Sequence, residues 1–166
     1  MDLYPWIVLV HIIAAFVFVL AHGVSAFVAF RIRGETDRTR IAALLDLSGG
    51  SLMTAFIALL VILVCGIWAA IAGGHFGGGK YWAWAALVVF LMTASLMTPL
   101  ASGWLNRVRR AVGMPIQADR KAGRDPLPAS DAELAAVLAA GRPDLVAAVG
   151  MVGLVVLVTL MRFKPF

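Results

Sequence analysis

Of the side chains in this sequence, the three histidines are best suited to bind a ligand, and two of them, His11 and His22, lie inside the apolar run HIIAAFVFVLAH. Eleven residues at about 100° each come within about 20° of a whole number of turns, so both rings project from one helix face, roughly 16 Å apart. An imidazole among alkyl chains needs a hydrogen-bond partner or a metal, and an ionisable residue in a membrane segment is a functional candidate by default. The structural alternative gives each ring a backbone carbonyl or a hydroxyl such as Thr93 or Ser95. The shared stripe also holds Ala15, Phe18, Ser25 or Ala26, and Ala29, whose small members suit close helix packing.

Depth sorts the partners. His11 lies at the level of Cys65 and not far below His75, whereas His22 lies near Met97 and farther from Met53. Haem b held by two histidines needs them on facing elements, which makes His11 and His75 the better pair. His22 with Met97 offers a His/Met set for haem, or a thioether for Cu(I). Met92, Met151 and Met161 read as core or lipid-facing side chains. GHFGGGK, residues 74–80, has the spacing of a phosphate-binding loop. Tyr81, however, replaces the required Ser or Thr and no strand precedes it, so a glycine-rich hairpin between helices is expected instead.

These residues must be positioned by membrane helices. The chain has 166 residues, 62% hydrophobic and 14% charged, with a mean hydropathy of +0.94, far from a soluble composition of roughly a quarter charged residues. Four runs approach the length needed to cross about 30 Å of hydrocarbon: residues 4–29, 52–72, 81–103 and 145–161. The last is the shortest, with Arg162 and Lys164 placed to snorkel to the interface. Met1 and Asp2 supply no basic n-region and the first run is too long for an h-region, so it is expected to remain in the mature protein. Cys65, the single cysteine, can form no internal disulfide.

Eleven of the fourteen Lys and Arg residues fall in the first and third loops. The positive-inside rule therefore predicts both termini and the second loop outside, in a bacterial inner or plasma membrane. This clustering reads the net charge of +5 as topology and argues against a nucleic-acid partner. Tyr4, Trp6, Trp68, Tyr81, Trp82 and Trp84 are expected to form an outer aromatic belt, with Trp104 at the inner boundary.

Residues 38–48 are expected to form a short interfacial helix ending at Gly49 and Gly50, with Asp46 solvated or paired to an arginine. Pro99 should bend the third span, with Ser95 or Thr98 serving the freed carbonyl. WLNRVRR should carry that helix onward, its arginines complementing the helix dipole and gripping anionic lipid. Residues 113–129 read as linker. Ser130 and Glu133 form a capping-box pattern before an amphipathic helix with Leu134, Val137 and Leu138 on one stripe, resting on the bilayer or a partner and stopped by Gly141 and Pro143. Residues 104–144 thus form the cytoplasmic linker and short helix of one all-α, four-transmembrane-helix domain. Gly150 and Gly153 offer a close-packing surface in the last span.

The opening LYPWIVLVHIIAAFVFVLAHG, with a histidine near the outer end and Phe18 seven residues later, resembles the first helix of copper-resistance D-like membrane proteins and HemJ-type protoporphyrinogen oxidases. The closing VGMVGLVVLVTLMRFKPF, with M-x-x-K-P at residues 161–165, is similar to a related uncharacterised family of four-helix integral membrane proteins that brings no assigned reaction. The resemblance implies a four-helix bundle and, through the first two families, haem or copper handling with His11 as a ligand. Phe18 stands where those relatives tend to have Trp, and Lys80 is the counterpart of the HemJ helix 3 lysine. Three functions follow as expectations. The first is a haem- or tetrapyrrole-binding redox protein using His11, with His22 or His75 as second ligand. The second is a non-catalytic subunit packing against a larger membrane complex or a second copy. The third is a small metal or solute transporter, disfavoured because no span carries an acidic residue near its midplane.

Overall fold

The computed structural model describes residues 3–165; Met1 and Asp2, on which the reading of a retained N-terminus rests, and Phe166 lie outside the described residues. Six helices follow in order: α1 Tyr4–Ile32, α2 Arg38–Ala72, α3 Trp82–Ala111, α4 Gln117–Lys121, α5 Asp131–Ala139 and α6 Pro143–Phe163. There is no strand among the described residues. Helices α1, α2, α3 and α6 are long and apolar enough to cross a membrane. The start of α1, the end of α6 and the loop of residues 73–81 lie at one end of the bundle. Both arginine-rich connections lie at the other, called here the basic end.

The helices associate as two pairs, α1 with α2 and α3 with α6. On α1 the buried seam is Ile7, Ala14, Ala21 and Val28, a seven-residue repeat joined by Ser25 and Ile32, with Ala14, Ala21 and Ser25 as its small members. Ser25 sits opposite Ser51 of α2 at 2.8 Å between hydroxyl oxygens, and Ser51 donates to the Ala21 carbonyl at 2.9 Å. These bonds need the backbones close, which small residues permit.

That closeness corrects one expectation. Helix α2 does not break at Gly49 and Gly50 but runs unbroken from Arg38, its start capped by Asp37, whose carboxylate accepts from the Thr39 amide at 2.8 Å. Two helical glycines cost about 1 kcal/mol each against alanine. The serine contacts with α1 beside them, and the Arg109 guanidinium lying against Gly49, hold this stretch helical.

The largest core lies at the basic end, where Val28 and Ile32 meet Ile41 and Leu45, Trp104, Leu105 and Val108, and Leu134 and Leu138. The amphipathic helix α5, capped by Ser130 and Glu133 as expected, therefore turns its apolar stripe into the protein's own core. It covers the ends of the spans because short proline-rich connections bring it back over them. Trp104 belongs to this core as well, 5% exposed and donating its indole N–H to the Val137 carbonyl at 2.8 Å, not to a headgroup belt. A side chain at Gly141 would strike that indole. Arg38 ties the region together: its guanidinium donates to the carbonyls of Ala111 and Ala129 and pairs with Asp131 at 2.7 Å.

Helix α3 continues through Pro99 to Ala111, carrying WLNRVRR onward as helix at the start of the connection to α6. The hydroxyls of Thr98 and Ser102 bond the carbonyls of Ala94 and Thr98, leaving the proline-freed carbonyl of Ser95 to neither. Residues 113–129 contain the short α4, held by Asp119, which accepts from Arg110 at 2.8 Å. That bond, the Ile116 amide, and the charges of Arg110 and Arg124 hold the Asp119 carboxyl below its ordinary range. In α6, Gly153 faces Thr93 and Gly150 faces Met97, so the small-residue surface is used within the bundle.

Candidate functional site

At the end where α1 starts and α6 finishes, the two helix pairs border a half-open cavity of about 310 Å³. All four long helices contribute to its wall, His11 and Ile62 from α1 and α2, Trp82 and Phe90 from α3, and Met161 from α6, with His75 and Phe76 from the loop. The volume is at the lower end of the range for small-molecule sites of about 300–1,000 Å³, and the lining is apolar with a few convergent polar groups.

His11 is anchored across the first pair. Its Nδ1 lies 3.0 Å from the carbonyl oxygen of Ile62, and a carbonyl only accepts, so Nδ1 carries a proton and Nε2 is the nitrogen that bears the lone pair whenever the ring is neutral. The partner is a backbone carbonyl of α2, not Thr93 or Ser95. Gly66 makes the approach possible: a Cβ there would lie 3.0 Å from the imidazole Cε1. A histidine whose Nδ1–H is fixed by a carbonyl, with Nε2 as the lone-pair nitrogen, has the tautomer and orientation of a metal-ligating imidazole.

His75 lines the same cavity, so the structure brings together the pair that depth singled out. The loop places it with a helical return, its amide donating to the Ala70 carbonyl at 2.8 Å, while Gly74, Gly78 and Gly79 take positive φ values of 63°, 66° and 77°. The loop thus needs its glycines for turning, and a helix, not a strand, leads into it. The His75 ring packs on Trp82 at 5.0 Å between centroids. Its Nδ1 is the one buried side-chain polar atom without a hydrogen-bond partner among the described residues. Burial, followed by the charges of Lys164 and Lys80, holds His75 below the ordinary histidine pKa.

Two cavity residues escaped the sequence reading. Lys164 lines the cavity with Nζ 5.3 Å from the Trp82 ring centroid, because its left-handed backbone, φ 47°, stops α6 and turns the chain back. Met161 lies one turn earlier on the same wall. The three-residue spacing of Met161 and Lys164 is the available signal, although type alone makes Met161 a core or lipid-facing side chain and Lys164 an interfacial one. Lys80, by contrast, is exposed in the loop before α3 and outside the cavity. Trp82 is buried at 9% exposure, while Trp6, Trp68, Tyr81 and Trp84 are exposed as a belt requires.

His22 occupies a separate, tighter place near the middle of the bundle. It stacks on Phe18 with centroids 5.4 Å apart and planes 7° from parallel. A Cβ built on Gly150 would lie 3.1 Å from Met97 Sδ and 4.0 Å from His22 Nε2, so both members of the expected His/Met pair border Gly150. The adjoining hollow holds only about 40 Å³, with no room for a macrocycle. No group of three or more His, Cys, Asp or Glu side chains suited to a metal ion occurs among the described residues.

Fold and cavity together define a small all-α bundle of membrane-compatible helices with a histidine-bearing pocket at one end. No family model, curated protein or solved structure matches this chain.

Proposed function

We propose that the protein binds haem or a related tetrapyrrole in the cavity at the start of α1 and end of α6, with His11 as the ligand and His75 as the candidate second ligand. The supporting observation is the His11–Ile62 bond, which places the proton on Nδ1 and leaves Nε2 as donor in a residue that lines an apolar, half-open cavity. The orphaned Nδ1 of His75 in the same wall is a polar group awaiting a partner. The cavity is half-open and small for a macrocycle, and Lys164 in its wall would supply a cation for an acidic substituent. Bound there, such a group would supply one-electron chemistry. The chain's own residues orient it, exclude water and tune the ligand through the Ile62 carbonyl.

The arginine distribution supports placing this cavity in the outer half of a plasma membrane, with both termini outside. A membrane-impermeant thiol reagent reacting from outside with Lys80→Cys tests that placement. The binding test is a visible spectrum of the detergent-purified protein titrated with haem. A Soret band is expected; His11→Ala should abolish it, and His75→Ala should shift it toward a five-coordinate form. A protein that stays colourless with excess haem, or co-purifies colourless with a stoichiometric partner, overturns the proposal in favour of an accessory subunit.

A further inference from the structure

At the opposite, basic end a second hollow of about 390 Å³ opens between α2, α3 and the start of α4. Its lining is polar: Asp46 beside Gly49 and Gly50 on α2, Asn106 and Arg109 on α3, and Gln117 and Arg120 on α4. Arg109 is built into it. The guanidinium donates to the Leu45 carbonyl and lies 3.8 Å from Asp46, and a Cβ on Gly49 would come within 3.0 Å of its Nη2. The glycine that might have broken α2 is therefore the seat for this guanidinium. Asp46 neutralises it weakly, since that carboxylate side chain is 72% exposed. Arg120 joins no ion pair among the described residues. Two guanidinium groups against one carboxylate leave the hollow one net positive charge.

The surface running away from it toward the other end of the bundle is apolar. On α2 the face that carries Asp46, Gly49 and Gly50 continues as Met53, Ile57, Leu60 and Val64 at helical spacing, between 44% and 62% exposed. A basic, hydrogen-bonding hollow at the end of an exposed apolar stripe matches a molecule with a monoanionic head and hydrocarbon tails. A free phosphate would use only the first of these features.

We propose that this hollow binds the phosphodiester head of an anionic phospholipid from the leaflet at the basic end, with Arg109 and Arg120 as charge partners, Asn106 and Gln117 as hydrogen-bond donors, and the acyl chains along Met53 and Ile57. A zwitterionic lipid brings its own cation to a site already positive and binds less well.

Native mass spectrometry of the full chain in detergent tests this, with phosphatidylglycerol and phosphatidylcholine of identical acyl chains as probes. Phosphatidylglycerol should bind more tightly. Arg120→Gln should weaken it about tenfold, the scale of one lost charge-assisted hydrogen bond, and leave phosphatidylcholine unchanged. Arg124→Gln removes the same charge outside the hollow and should leave phosphatidylglycerol binding intact. Because Arg109 also holds the Leu45 carbonyl, the test rests on Arg120→Gln and Gln117→Glu, with an unchanged lipid-free melting temperature as folding control. Equal binding of the two lipids, or equal losses in the Arg120 and Arg124 variants, overturns the proposal. So does inorganic phosphate binding that phosphatidylglycerol fails to displace, which would assign the hollow to a soluble anion.

Discussion

His11 of α1 and the backbone carbonyl of Ile62 on α2 meet at 3.0 Å, with Gly66 one turn along leaving the space that the ring occupies. One bond thus joins the first helix pair and fixes which imidazole nitrogen bears hydrogen.

Gly66→Ala should displace the His11 ring and destabilise the protein by about 1–3 kcal/mol, the usual scale for overpacking. In the His11→Ala background the same change should cost little, since the clashing atoms are gone. Thermal denaturation in detergent of the two single variants and the double variant measures that coupling; additive losses would show that Gly66 and His11 act independently.

The pH response follows from His75. Its pKa in the folded protein lies below the ordinary value of about 6.5, so between the two values the unfolded chain binds more protons. The stability it contributes is complete above about pH 6.5 and is lost as pH falls through the lower, folded value. Melting temperatures from pH 7.5 to 5 should therefore drop in the parent protein. His75→Gln should flatten that slope, and Lys164→Gln, which removes one of the charges holding the His75 pKa down, should make the drop smaller and end it at higher pH.

Arg38 predicts a larger loss. Arg38→Gln removes a cation that serves two carbonyls and the Asp131 carboxylate, for an expected cost of about 3 kcal/mol. Arg38→Lys should recover only part of it, because an ammonium cannot reproduce the guanidinium fork. Protease sensitivity of residues 112–142 is the readout, and unchanged cleavage in Arg38→Gln would remove the clamp from this account.

Between α3 and α6, a Cβ at Gly153 would lie 2.5 Å from Thr93 Oγ1 and 2.6 Å from its Cγ2. Gly153→Ala should be destabilising by about 1–3 kcal/mol, and adding Thr93→Ala should restore most of the loss. Denaturation of the pair decides it; a double variant no better than Gly153→Ala would place the packing cost elsewhere.

Much of the architecture was legible because it depends on apolar run length, which sequence records directly: all four spans, the Ser130 cap and the extension of α3 past Trp104 follow from local pattern. What pattern missed depends on neighbours distant in sequence. Gly49 and Gly50 look like a break until Arg109 is seen lying against one of them. The stripe of α5 looks like a membrane-surface face until α3 appears beneath it. The cavity shows the same division. His11 and His75 were found by type and depth, while Lys164 enters only because one left-handed residue turns the chain inward.

Arg38 also carries a consequence for biosynthesis. Its acceptors lie 73, 91 and 93 residues downstream. During N-to-C synthesis the first hairpin must enter the bilayer while the guanidinium that will lock it still faces water. The basic end can close only after Asp131 has left the ribosome, so a nascent chain stalled before that point would present an open, cationic stump to the proteases that patrol membrane insertion.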